Sequence, residues 1–330
     1  MNIINKNGFL VLSLDFELLW GIFDVVDFSK KEKYVQNTLD VIPKILNLFE
    51  DKEIHCTWAI VGMLFNNDWE EWKNNIPKIT PSYKDSNLSA YNFGENNFKY
   101  VKEDMCFAPK IVKRISETPG QEIGSHTYSH FYCNEYGQNL EQFETDLLQM
   151  NKMAQKIGVE IKSLVFPRNQ FNQDYLKICA KNGIETVRSN PSDWYWKDTS
   201  SESVTTRLFR TGDVYFPLGK RKSYPISDLK KEVNIPLPQK ASRFFRPVEN
   251  NANLRRLKIR RIKDEMNSAA KNGEIYHLWW HPHNFGESPN ESMEDLNEII
   301  GCFLHNKEEF NFQSATMLEI KKKLENGIKE

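Results

Sequence analysis

Two histidines four residues apart, His126 and His130, close the stretch Glu122-Ile123-Gly124-Ser125-His126-Thr127-Tyr128-Ser129-His130. On a helical turn this spacing puts both imidazoles on one face, within reach of a single metal ion. The residues ahead of them read as a short strand running into a Gly-Ser turn. The pair is therefore expected at a strand end, where α/β enzymes keep their chemistry. A second stretch, Phe9-Leu10-Val11-Leu12-Ser13-Leu14-Asp15-Phe16-Glu17, carries two carboxylates after an apolar run. Alternate residues of a strand share a face, so Asp15 and Glu17 point the same way. Two like charges buried side by side are costly unless a cation offsets them. Capping of the next turn is the plainer alternative. With His126 and His130 in the same chain, the pattern favours one carboxylate and two imidazoles around a divalent ion, leaving the other carboxylate free for proton transfer.

The elements that must position these groups alternate along the chain. Strands are expected over 9–14, 54–62, 121–125, 161–166, 184–188 and 274–280. Helices are expected over 41–51, 109–118, 141–157, 173–182, 253–271, 291–308 and 316–326. Residues 66–108 lose clear periodicity and read as an insertion on the active-site side. Residues 197–262 read as a second, irregular and basic insertion: Arg207 to Lys263 holds 16 Lys or Arg against four Asp or Glu. With no repeats and no linker, residues 1–330 read as a single domain. Strands alternating with helices imply a mostly parallel sheet, and polar candidates just after strands suit a closed or nearly closed barrel.

Composition bounds the function. A hydrophobic content of 39% in 330 residues supports a sizeable core. A formal net charge of -1 gives no global field to draw nucleic acid. The five cysteines (Cys56, Cys106, Cys133, Cys179, Cys302) are odd in number and scattered, which fits reduced thiols better than a disulfide framework. The first apolar run is broken by Asp15 and Glu17 with no cleavage site after it, and no window reaches the ~18 apolar residues of a membrane span. A soluble, cytoplasmic protein is expected.

With these residues in hand, the chain resembles the polysaccharide deacetylase family, whose members share the NodB-homology domain of carbohydrate esterase family 4. The resemblance covers residues 8–65, 109–196 and 272–286. His126-Thr127-Tyr128-Ser129-His130 matches the family's His-[Ser/Thr]-x-x-His motif, and Thr57-Trp58-Ala59-Ile60-Val61-Gly62 resembles its Thr-Phe-Phe-Val-x-Gly strand. In place of two adjacent aspartates this chain has Asp-x-Glu, a spacing similar to the branch with allantoinase-like and some peptidoglycan-directed members. The resemblance implies a distorted (β/α)7 barrel, here with two insertions, and metal-dependent removal of N-acetyl groups from sugars. It implies Asp15 as catalytic base and Glu17, His126 and His130 as metal ligands, with the two carboxylate roles reversed as the alternative. Arg168, in Phe166-Pro167-Arg168-Asn169, is the expected partner of the base, although the family's arginine precedes the proline. Asp193 would orient that arginine, and Trp194 would line the pocket. Leu278-Trp279-Trp280-His281 stands in for the last motif and makes His281 the general acid, with His283 as runner-up.

Zinc is the first expectation for the ion, ahead of cobalt, nickel, iron or manganese. Trp194 and Trp280 are expected to stack on sugar, beside His283. Arg243 and Arg246 are expected to contact substrate, and Arg255 and Arg256 share the same basic segment. That segment suits a phosphate or an anionic membrane face, so an N-acetylated sugar on a nucleotide or lipid pyrophosphate is the expected partner. The competing expectations are an amidohydrolase acting on a small cyclic amide and an inactive sugar-binding protein on the same barrel.

Overall fold

Every residue of the first strand, β1 (Phe9–Phe16), is buried, the pattern of a parallel strand covered on both faces rather than one with a wet side. The computed structural model describes residues 7–191, 193–196, 203–219 and 222–327. Eight further strands follow: β2 (Cys56–Ile60), β3 (Gln121–Ser125), β4 (Ser163–Leu164), β5 (Thr186–Ser189), β6 (Leu237–Lys240), β7 (Arg243–Phe244), β8 (Ile275–Trp280) and β9 (Gln313–Ala315). They form one sheet in the order β6-β5-β4-β3-β2-β1-β8-β7, with every pairing parallel. The short β9 pairs with Phe9–Val11 of β1, ahead of the Leu12–Phe16 stretch that pairs with β2.

The two ends of this order are one piece of chain. Ala241 N donates to Ser189 O at 2.9 Å, and the next residue's N, on Ser242, donates to His277 O at 2.8 Å. Residues 237–244 therefore bond to β5 with their first half and to β8 with their second. The sheet curls until this one segment bridges its two ends, the distorted (β/α)7 barrel expected from the sequence.

Helices cover the ring: α1 (Glu32–Asp51), α2 (Trp69–Asn74), α3 (Ala90–Asn97), α4 (Pro109–Glu117), α5 (Leu140–Gln155), α6 (Gln173–Lys181), α7 (Val204–Tyr215), α8 (Ala252–Asn272), α9 (Pro289–Phe310) and α10 (Met317–Gly327). α1 starts nine residues before the expected 41, so Pro43 lies inside it and one main-chain bond is forgone. The expected insertion at 66–108 holds α2 and α3. Trp69 and Trp72 of α2 are buried, and Trp72 stacks on Trp20 at 6.1 Å. Helices of six and eight residues are too short to show a repeat, which is why the pattern looked lost. The expected insertion at 197–262 needs a larger correction, because it supplies α7 and the strand that closes the barrel. Among the described residues, no helix is long and apolar enough to cross a membrane.

Trp280 is part of this core rather than of a sugar site. It is fully buried, with Phe285 stacked 6.1 Å away and Phe245 edge-on at 5.6 Å. Trp280→Ala should therefore destabilise the fold by about 3–5 kcal/mol, the range for emptying a buried aromatic site. Urea unfolding measures it; a change below about 1 kcal/mol with lowered sugar affinity would return Trp280 to the binding surface.

Candidate active site

The His126–His130 segment is not a helical turn. β3 ends at Ser125, and the chain then takes left-handed conformations at Thr127 (φ 62°) and His130 (φ 56°). A β-branched threonine there is strained by roughly 1–3 kcal/mol. The surroundings hold it in place. Ser125 Oγ accepts from Thr127 N at 2.9 Å, and Thr127 Oγ1 accepts from Phe131 N at 2.7 Å. From α5, the buried Asp146 accepts from Tyr128 N at 2.6 Å, from Ser129 N at 3.1 Å and from the Ser129 hydroxyl. The α5 helix that presents it starts with a reciprocal cap between Asn139 and Gln142. Burial pushes the Asp146 carboxyl up to about 6, against these hydrogen bonds. Gly62 lets the chain pass under the loop, since a Cβ there would sit 2.6 Å from the Tyr128 ring and 2.9 Å from its Cα.

This loop turns two imidazoles onto Glu17. His126 Nε2 and His130 Nε2 lie 3.2 and 3.1 Å from the same oxygen, Glu17 Oε2, and one donor atom of each residue falls within 4.8 Å of the others. His126 Nδ1 donates to Val165 O at 2.8 Å, which orients the ring and turns Nε2 inward. Burial raises Glu17, but His281, His130 and the hydrogen bonds of His126 and His130 overcome it and hold the carboxyl well below its ordinary range. The donor set is buried and preorganised, and its chemistry fits a divalent ion such as zinc. A Cβ on Gly21 would overlap the Glu17 carboxylate, so that turn is shaped around this side chain.

Asp15 is held apart from this trio by an arginine, and it is not Arg168. Arg188, on β5, donates Nη1 to Asp15 Oδ1 at 2.7 Å and Nη2 to Oδ2 at 2.6 Å. It also donates to Ser13 Oγ at 3.1 Å and to Asn169 Oδ1 at 3.2 Å, and its guanidinium lies 4.0 Å from the Trp279 ring centre. Burial alone would raise Asp15; Arg188, with His126 and His281, outweighs it and keeps the carboxyl below its ordinary value. Arg168 pairs with Asp24 and lies over Tyr132, with Glu135 3.5 Å away. The turn at Arg168 and Asn169, both left-handed (φ 53° and 52°), offers the Asn169 side chain to the Arg188–Asp15 pair instead of the arginine. Asp193 is correspondingly displaced from its expected role, because its carboxylate accepts from Lys222.

Of the two C-terminal histidines, His281 faces the site. Its Nε2 lies 3.7 Å from both Asp15 Oδ2 and Glu17 Oε1, and its side chain is 23% exposed where Asp15 and Glu17 are at most 4%. His283 is buried behind it, rings nearly parallel at 4.8 Å, with Nδ1 3.7 Å from Glu17 Oε1. Burial and His281 press His283 down to about 3, a neutral ring. Trp279, rather than Trp280, is the aromatic at the site, between Phe244 (4.5 Å) and His281 (5.6 Å). Trp194 is 54% exposed and packs edge-on against Tyr195 and Phe209.

The basic segment divides. Arg243 is buried and bonded to both oxygens of Glu265 at 2.7 Å and to Asp213 O at 2.8 Å, so it is a structural ion pair. Arg255 bonds Asp295 and Glu294, and Arg256 bonds Asn253, on α8 against α9. Arg246 has no such partner among the described residues and lines a recess with Asn169 and Trp279.

The fold and site together define a parallel α/β barrel whose strand ends gather a candidate metal centre, with Asp15 and His281 beside it. Residues 28–187 match the family model described as polysaccharide deacetylase, and the chain carries a domain of that family. Its structure is similar to a Mycobacterium smegmatis protein described as a polysaccharide deacetylase (12% identity, 97% of this chain and 92% of that one, TM-score 0.59). It is also similar to the PuuE allantoinase (10%, 96% and 90%, 0.54) and a branching enzyme from Pyrococcus horikoshii (10%, 94% and 69%, 0.51). At these identities the likeness is one of fold. Asp15, Glu17, Arg188 and His281 all lie outside the matched residues, brought to the histidines by β1, β5 and β8.

From sequence, Arg188 reads as no more than a partner for Asp193, and neither Asn169 nor Asp146 stands out as a site residue. Arg188 carried a signal: a charged residue at the C-terminal end of a barrel strand points to the mouth. Asp146 carried none, since a carboxylate in a helix reads as surface. Asp146→Ala should strand two buried N–H groups and destabilise the protein by on the order of 3 kcal/mol, with zinc lost at a lower chelator concentration. Unchanged melting and zinc retention would show that the loop holds without it.

Proposed function

We propose that this protein is a metal-dependent hydrolase that removes an N-acetyl group from a sugar of a bacterial surface-glycan precursor. The observation that carries this reading is the separation of the two carboxylates. Glu17 converges with two imidazoles, while Asp15 is clamped by Arg188 and stays available beside them. An ion held by Glu17, His126 and His130 would polarise the amide carbonyl and lower the pKa of the attacking water. Asp15, kept ionised by Arg188, accepts the proton of that water as oxygen adds to the carbonyl carbon. His281 delivers a proton to the nitrogen as the C–N bond breaks, so the products are acetate and the free amine. Trp279 backs the site, its ring packed against Arg188 and edge-on to His281. An intracellular precursor carried on a nucleotide or lipid pyrophosphate is the substrate form that the half-buried Arg246 favours.

Metal removal by a chelator should abolish acetate release from an N-acetylated sugar, and zinc should restore it. Asp15→Asn and His281→Ala should each keep the metal and lower turnover roughly 10²–10⁴-fold, the usual range for loss of an acid or base. Metal loss in Asp15→Asn with retention in Glu17→Gln would exchange the carboxylate roles. Hydrolysis of a cyclic amide without acetate release from any N-acetyl sugar would favour the second reading, to which the Asp-x-Glu spacing also lends support.

A further inference from the structure

Around the recess lined by Asn169, Asn190, Trp196, Phe244, Arg246 and Trp279, the acids are already engaged. Asp213 and Asp193 pair with Lys222, Glu265 takes Arg243 and Arg261, and Glu249 accepts from the Tyr215 hydroxyl at 2.6 Å. Arg246 has no carboxylate within ion-pair distance among the described residues. Its main chain is fixed nonetheless: the buried Lys258 Nζ donates to Arg246 O at 3.1 Å and to Pro247 O at 2.8 Å. Burial presses Arg246 below its ordinary value, against the attraction of Tyr215 and of Glu249, which stays outside ion-pair distance. The recess adjoins the site. Asn169 bonds the arginine that holds Asp15, and Trp279 lies against that same arginine and against His281.

We propose that this recess is an anion subsite, in which Arg246 binds a phosphate or carboxylate borne by the same sugar whose acetamide reaches the Glu17–His126–His130 centre. A guanidinium suits either anion, because its planar fork matches two oxygens at once. Asn169 and Asn190 add side-chain amides, and Trp196 and Trp279 wall the space with rings. The link between anion and acetamide rests on the deacetylase reading. The binding of an anion by Arg246 does not.

Calorimetry on the zinc-loaded full chain tests this with N-acetylglucosamine, N-acetylglucosamine 1-phosphate and N-acetylglucosaminuronic acid. The wild type should bind at least one of the two anionic sugars roughly tenfold or more tightly than the neutral one, as expected for a charge-assisted contact. Whichever anion gains more identifies the source. Arg246→Gln should erase the preference while zinc content and neutral-sugar affinity stay unchanged, and Arg246→Lys should keep part of it. A wild type indifferent to both anions would overturn the proposal, as would a glutamine variant that loses neutral and anionic sugars alike. An intact anion preference without acetate release from any of the three sugars would refute the deacetylase reading and leave the subsite standing.

Discussion

The structure depends on a buried ion pair between the first and fifth strands of the ring. Arg188 is among the largest fully buried side chains in the protein, and Asp15 is buried with it. Removing both charges from water is expensive, and breaking such a pair costs about 3–5 kcal/mol because the survivor is left uncompensated. Two parallel N–H···O bonds, further bonds to Ser13 and Asn169, and the Trp279 ring make the burial tolerable. The pair crosses the interior, and the interior exists because residues 237–244 bond to β5 and β8 in turn. Without that closure Arg188 would lie on a strand near an open edge, exposed to water.

The pair also divides the labour of two carboxylates two residues apart. Alternation along β1 sends Asp15 and Glu17 to the same side, where both would compete for one cation. Arg188 claims Asp15, and Glu17 meets the imidazoles of a strained loop. The strain at Thr127 is held by hydrogen bonds accepted by Asp146 and Ser125 and one donated by Phe131 N, so contacts within the chain fix where the two imidazoles point.

What the sequence made legible follows the same physics. The strand ends at Asp15, His126 and His281 stood out because an apolar run that stops at a polar residue marks a buried strand reaching the mouth of a barrel. The His-x3-His spacing pointed to two imidazoles converging on one point, and both meet Glu17, although the local backbone is a left-handed turn rather than a helix. Motif position points to Arg168 as the partner of Asp15; in space the guanidinium arrives from β5, and Asn169 takes the place near it. The closing strand was hidden because Leu237–Lys240 and Arg243–Phe244 are only four and two residues long, inside a basic stretch with no alternation. Arg243 reads from sequence as a ligand-binding cation, but Glu265, 22 residues further on, neutralises it.

The most direct test of the division between Asp15 and Glu17 is an anomalous-scattering crystal structure of the zinc-loaded protein. One zinc should be bound by Glu17, His126 and His130 at ~2.0–2.2 Å, with both Asp15 oxygens still on Arg188. Zinc bound by Asp15, with Arg188 released or with Glu17 turned away, would contradict the account.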